Sequence, residues 1–388
     1  MNKKICVITA LLLAICCSSC SLFEDGDITQ APTFPTEETA TTDAPTTDDA
    51  TTNAPTQAGE VVTFRFAGDF TQAELGGEGV VMSIMATLDE IYGGDITQVF
   101  SDDLIELMRS ADIFMLNNEY TYSLRGTPTA GKHWTFRANP KRVKNLSTLG
   151  VDIVGLANNH AFDWGEISLL DTLDTLDGEG IDHVGAGRNL AEAMKPVYYE
   201  LGGKTFSFVC ATAVEKVGDS EYGMSRPATE DKPGVLNTTD PANTLAAIET
   251  AKANSDYCFV YVHWGTESTT VLDEEQTDLA HAYIDAGADA IIGGHPHVLQ
   301  GFEYYKGKPI IYSLGNFWFN SKERETGLLE INVDTADMGV TVRFLPCLQR
   351  DCRTVLVTKA ERKQEMLEYM QSISDGINIS QDGTVTEK

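Results

Sequence analysis

Five apolar runs in this chain each end in a polar, ligand-type residue, and that repeated pattern constrains the fold more than any other feature. Phe64-Arg65-Phe66-Ala67 runs into Gly68-Asp69, and Ile113-Phe114-Met115-Leu116 into Asn117-Asn118-Glu119. Ile153-Val154-Gly155-Leu156-Ala157 ends in Asn158-Asn159-His160, and Phe259-Val260-Tyr261-Val262 in His263-Trp264-Gly265. Ile291-Ile292-Gly293-Gly294 ends in His295-Pro296-His297. Short β-branched runs of this kind predict strands over 61–67, 113–116, 151–156, 206–211, 257–262, 290–292 and 310–313. Helical patterns fall between them at 140–149, 166–176, 241–254 and 273–286. Strands buried on both faces and separated by helices imply an α/β layered domain. Further on, 327–333 and 338–345 read as a closing pair of strands, and 360–373 as an amphipathic terminal helix. No internal repeat is visible. The polar residues share the carboxyl edge of the strands, which is where open α/β sheets place their sites.

Water solvates carboxylates and imidazoles more cheaply than a protein edge does, unless those groups converge on something charged. Convergence of Asp69, Glu119, Asn159, His160, His263, His295 and His297 suits Mn²⁺, Zn²⁺ or Fe. Two histidines two apart on an extended segment point the same way, so His295 and His297 can reach adjacent ions. A bridging carboxylate holds two such ions about 3.5–4 Å apart, the arrangement used for in-line displacement at phosphorus. Singly these signals are weak: a lone strand-end histidine is more often just hydrogen-bonded, and an Asn-His pair is usually a turn. Their order and shared edge carry the expectation.

The ends of the chain have a different character. Lys3 and Lys4 precede an apolar run from Ile5 to Cys17, followed by Ser18-Ser19-Cys20. That describes a secretory signal over 1–20 and not a membrane span. The small residues before Cys20 resemble a bacterial lipobox, so Cys20 is the expected lipidation site, with anchoring to the extracytoplasmic face of the cell membrane. Residues 21–60 are rich in Thr, Pro, Ala and acidic side chains and lack Lys and Arg, the composition of a disordered tether. The folded domain is expected over 61–352, with a strand/helix extension over 353–388. A net charge of −30 excludes nucleic acid as a partner and leaves membrane attachment to the lipid. Cys210 and Cys258 lie in strand-like runs as buried thiols. Cys347 and Cys352 are candidates for a small disulfide in an oxidising exterior, with free thiols as the alternative.

The motif order resembles a known family. Gly68-Asp69, Asn118-Glu119, the run Ala157-Asn158-Asn159-His160-Ala161-Phe162-Asp163-Trp164-Gly165, and His263-Trp264-Gly265-Thr266-Glu267 follow the CapA-type poly-γ-glutamate capsule-synthesis branch of the metallophosphatase superfamily. So do the block from Gly294 to Gln300 and Tyr312-Ser313-Leu314-Gly315-Asn316-Phe317. The resemblance implies a four-layer sandwich, two central mixed β-sheets flanked by helices, with two divalent ions. It implies Asp69 and His297 on one ion, Asn159, His263 and His295 on the other, and Glu119 in the bridging place usually held by aspartate. His160 would donate a proton or stabilise a transition state, oriented by Asp163. Glu267 would support this set, and Arg137, Asn316 and Glu267 are candidates for the substrate side of the pocket. The pattern departs from the superfamily at Asp69-Phe70-Thr71, where a histidine two after the aspartate is usual.

The remaining residues have plainer expectations. Trp164 and Trp264 pack beside the motif turns, and Trp318 and Phe319 belong to the core. Tyr120, Tyr122, Arg125, Lys132, His133, Trp134 and Arg137 fall in a polar loop region between the second and third motifs, Arg137 being the favoured functional residue among them. His183 and His281 lie off the motif edge. Two functions compete. One is a metal-dependent hydrolase, with an ion-activated water attacking a phosphoester or related bond of an anionic substrate, poly-γ-glutamate among them. The other is a non-catalytic metal-binding component of a polyglutamate synthesis and export assembly. A solute-binding lipoprotein would need two lobes and a hinge, and nothing in the chain suggests that duplication.

Overall fold

The computed structural model describes residues 59–74, 83–214, 226–238 and 240–388. The apolar N-terminal segment, Cys20 and the Thr/Pro-rich stretch up to residue 58 lie outside the described residues.

The first strand, Val61–Phe70, sets the frame, because every residue from Phe64 to Phe70 is buried. It pairs parallel with Ile113–Asn118 and antiparallel with Arg324–Asp334. The sheet continues through Ile153–Gly155 to Asp182–Val184 on one side. On the other it runs through Val340–Arg350 to Thr384–Glu387 and Ile377–Ile379. A second sheet of six strands runs Leu299–Tyr305, Lys308–Leu314, Ala290–Gly294, Tyr257–His263, Lys204–Thr212, Val197–Leu201. Its inner members are parallel and its two edge strands antiparallel.

The sheets meet on aromatic faces. Phe64 lies 4.7 Å, centroid to centroid, from both Phe206 and Phe259, and Phe66 lies 5.2 Å from Phe259. Tilted rings at this spacing gain about 0.5–1.5 kcal/mol per pair beyond area burial. Helices cover the outer faces, among them Glu166–Glu179, Pro241–Ala253 and Glu274–Asp285, which completes a four-layer α/β sandwich. Asp240 caps the second of these, with Pro241 opening it, where a missing N–H costs nothing. The third begins with a reciprocal capping box between Asp273 and Gln276.

The strand and helix expectations hold where the apolar pattern is long. The expected helix at 140–149 divides into a 3₁₀ turn, Pro140–Val143, and a short α-helix, Lys144–Leu149. Asn139 accepts the Lys141 N–H and Pro140 fixes the tight first turn. Val197–Leu201, Leu299–Tyr305, Asn316–Trp318 and Asp182–Val184 are strands that the sequence pattern does not single out. The first is an edge strand whose residues alternate between partly buried and exposed, so no fully apolar run marks it. Beyond Cys352, Arg353–Leu356 pairs with Val340–Arg350 and the helix Ala360–Ser372 follows. Cys210, Cys258, Cys347 and Cys352 are all buried free thiols, so the disulfide alternative is not realised. Among the described residues, no helix is long and apolar enough to cross a membrane.

Candidate metal centre

The carboxyl ends of both sheets converge because glycines let them approach. A Cβ at Gly68 would stand 1.9 Å from the Gly315 carbonyl, which accepts the Asp69 N–H at 2.9 Å. A Cβ at Gly294 would stand 2.7 Å from Asp69 Oδ1. Glycine at these two positions brings Asp69, on one sheet, beside His295, on the other. The His295 N–H then donates to Asp69 Oδ2 at 3.1 Å. His295 and His297 both take left-handed backbone, with φ of 98° and 58°. Such conformations cost on the order of 1–3 kcal/mol each and persist where surrounding contacts dictate them.

Two ligand triads result, and they share one residue. Ligand atoms of Glu119, His263 and His295 all lie within 4.8 Å of one another, as do those of Asp69, Glu119 and His297. Asn159 Oδ1 adds to the first group, 2.9 Å from His263 Nε2, and His295 Nδ1 is 3.1 Å from the same nitrogen. In the second group His297 Nδ1 lies 3.3 Å from Asp69 Oδ2 and 2.7 Å from Asn316 Oδ1.

Asn117 is the residue that sequence reasoning passed over. Its Nδ2 donates to Asp69 Oδ1 at 2.8 Å and to Glu119 Oε2 at 3.1 Å, tying the two carboxylates together. Its Oδ1 accepts from Asn158 Nδ2 at 3.0 Å. The signal was available: two residues before Glu119 on an extended segment, its side chain points to the same face.

The donor set fits divalent ions on structural grounds. Glu119 Oε1 is buried and has no hydrogen-bond partner among the described residues. Facing it, at 3.7 Å each, stand His160 Nε2 and His263 Nε2. A buried carboxylate oxygen without a donor is costly, and a cation at that point removes the cost. Electrostatics agrees. Burial, then the Asp69 charge, then that of Glu267, push Glu119 well above the usual carboxylate range. Burial would raise Asp69 too, but the hydrogen bond and charge of His297 outweigh it and hold Asp69 well below that range. Burial lowers His263 to about 3 and holds His295 well below the usual imidazole range, so both are neutral and available as ligands at pH 7. Oxygen and neutral nitrogen donors of this kind suit Mn²⁺, Zn²⁺ or Fe²⁺, and the overlapping triads form a binuclear arrangement.

The usual histidine of the first aspartate motif has no counterpart. Phe70 is buried against Trp318 and Tyr120, and Thr71 Oγ1 is spent on the Ala73 N–H. Beside the triads, His160 Nδ1 lies 2.6 Å from Asp163 Oδ2, and its ring lies against Phe136 at 4.3 Å. Burial draws His160 down to about 4, against the opposing pull of Asp163.

Of the residues expected on the substrate side, Asn316 is buried and contacts His297. Glu267 is exposed, and its charge is felt by Glu119 and His297. Arg137 places its guanidinium 3.5 Å over the ring of Trp164, and its Nη1 donates to the Arg125 carbonyl at 3.4 Å. Lys132, from the same loop region, reaches the centre, with Nζ 2.5 Å from Asp163 Oδ1. Trp264 is buried and stacked on Tyr312, and Trp318 is fully buried. Phe319 is also buried and packs on His297 at 4.7 Å. His183 pairs with Asp177 and His281 with Glu303, both away from the triads.

Fold and centre together define a four-layer α/β domain with a binuclear ligand set at the carboxyl ends of its two sheets. The chain belongs to the bacterial capsule synthesis protein family PGA_cap, whose model matches residues 63–321. It is 34% identical over 239 residues to the PGA biosynthesis protein CapA of Bacillus subtilis (strain 168), an alignment covering 60% of each chain. It is 34% identical over 214 residues to the capsule biosynthesis protein CapA of Bacillus anthracis, covering 53% of this chain and 49% of that one. A probable polyglutamine synthesis accessory protein of Mycobacterium tuberculosis is 33% identical over 213 residues, covering 53% of this chain and 55% of the relative. The chain therefore spans between about half and 60% of the length of these relatives.

Proposed function

We propose that this protein is a metal-dependent hydrolase of the extracytoplasmic surface, held there by lipid on Cys20, that acts on a phosphoester or related bond during production of an anionic capsule polymer such as poly-γ-glutamate. The observation that carries the reading is the placement of His160 Nε2 and His263 Nε2 around the unpartnered Glu119 Oε1, with Asp163 behind His160. A bound pair of divalent ions would supply Lewis acidity, offset substrate charge and generate a nucleophile at neutral pH. The chain's own residues do the rest. Asp69, Glu119, Asn159, His263, His295 and His297 would hold the ions. Asp163 fixes the His160 ring so that Nε2 faces the ligands; once that nitrogen takes up a proton, it can hand it to a leaving oxygen or stabilise developing charge. A polyanion is a reasonable substrate for a chain of net charge −30 only where cations intervene, which the centre provides.

A second reading is a non-catalytic metal-binding component of a polymer synthesis and export assembly. It is favoured by Phe70 and Thr71, which leave the Asp69 triad without the usual second imidazole. The two readings part in a phosphomonoesterase and phosphodiesterase screen with Mn²⁺, Zn²⁺ and Fe²⁺. Turnover that His160→Ala reduces by about 10²-fold or more fits the hydrolase, since positioned acid–base groups contribute 10²–10⁴-fold. No turnover with any of these ions moves the function to the assembly.

A further inference from the structure

The polar loop before the third motif is stitched to that motif. The Thr129 N–H donates to the Asp163 carbonyl at 2.8 Å and its hydroxyl to the Phe162 carbonyl at 3.1 Å. The Phe136 N–H donates to Asp163 Oδ2 at 2.5 Å. Through this seam Lys132 turns inward until its side chain is only 9% exposed. Its Nζ donates to the Asn159 carbonyl and to Asp163 Oδ1, both at 2.5 Å.

These contacts determine how His160 is held. An ionised carboxylate only accepts hydrogen bonds and an ammonium only donates. Asp163 Oδ1 takes Lys132, and Oδ2 takes the Phe136 N–H and His160 Nδ1. Nδ1 must therefore carry the hydrogen of the 2.6 Å contact, and the 3.5 Å approach of Lys132 Nζ to Nδ1 is a neighbour and not a bond. Nε2 is left to face Glu119. With two of its three donors committed to the protein, Lys132 is built to hold its neighbours and not to grip a substrate.

We propose that Lys132 is a positioning residue that clamps Asp163 against the Asn159 carbonyl and thereby holds His160 in the Nδ1–H tautomer with Nε2 toward the metal ligands. The proposal rests on the role given to His160 above. A lysine that merely closed the loop would affect stability and leave the imidazole unchanged.

The test is imidazole ¹⁵N NMR of the full chain labelled at histidine and stripped of metal by chelation, with His160 assigned from the signals lost in His160→Gln. The wild type is expected to show a single Nδ1–H tautomer for His160. In Lys132→Met the two ring nitrogens should move toward the values of mixed tautomers, and Lys132→Arg should restore at least half of that shift. A His160 signal unchanged in Lys132→Met overturns the proposal. Should that variant fail to fold, the wild type still decides. In a second sample labelled at lysine, the buried Lys132 ammonium should give an exchange-protected ¹⁵Nζ–¹H correlation that disappears in Lys132→Arg, and its absence from the wild type overturns the proposal equally. Neither readout involves turnover, so failure here is distinguishable from failure of the hydrolase reading.

Discussion

Asp69 and Glu119, two buried carboxylates at the ends of neighbouring strands, are held together by the single amide of Asn117, which donates to one at 2.8 Å and to the other at 3.1 Å. Without a cation, burial and then the charge of Asp69 drive Glu119 toward its protonated form, while the hydrogen bond and charge of His297 keep Asp69 ionised against its own burial. The centre is thus poised to gain stability from metal.

Glu119→Gln should therefore have effects of opposite sign in the two states. In metal-free protein it removes the cost of burying a carboxyl that must hold a proton beside Asp69, and melting temperature should rise by a few degrees, about 2–4 °C for each kcal/mol relieved. Metal content should fall, because the shared ligand is lost from both triads. Calorimetry with and without chelator checks both signs, and a fall in the metal-free melting temperature would count against the site's electrostatics.

His263→Ala should lower metal content with little unfolding. The imidazole contacts Asn159, His295 and Asn117 and is a ligand candidate in the first triad. Wild-type metal content in a folded His263→Ala protein, read by elemental analysis and circular dichroism, would sink the ligand assignment.

Gly294→Ala tests the approach of the two sheets. The added methyl would stand 2.7 Å from Asp69 Oδ1 and 3.2 Å from the Tyr261 hydroxyl. Something must shift, and metal affinity should fall at least tenfold. Unchanged affinity would show that the sheet ends have slack.

Acid should destabilise the metal-free chain between pH 6.5 and about 4. The folded-state values of His160, at about 4, and His263, at about 3, lie below the ordinary 6.5, and His295 is lowered too. In that window the unfolded chain binds protons on three imidazoles that the fold refuses, while the fold keeps one extra proton on Glu119. The unfolded state thus gains the excess, and stability falls with falling pH by about 1.4 kcal/mol per pH unit for each net proton. Urea denaturation of chelated protein at pH 7, 6 and 5 reads the slope, and a flat or reversed trend would contradict it.

Much of this architecture was legible because its strands are buried on both faces and so appear as unbroken apolar runs, Ile113 to Leu116 and Phe259 to Val262 among them. The ligands were legible because each ends such a run. Val197–Leu201 was not, since an edge strand with exposed alternate residues carries no such run. The choice between Arg137 and Lys132 was also beyond one dimension. Both are basic residues of one polar loop region, and only the fold of that loop decides that Lys132 turns inward to Asp163 while Arg137 lies on Trp164. Asn117 shows a third limit: its alternation with Glu119 was readable, but its hydrogen bond to Asp69 depends on the pairing of two strands distant in sequence.

Elemental analysis of the purified chain, after reconstitution with Mn²⁺, Zn²⁺ or Fe²⁺ and removal of free ion, tests the central claim most directly. The overlapping triads predict about two ions per chain, falling in Glu119→Gln and in His263→Ala. Fewer than one ion per chain with every metal would contradict a binuclear centre.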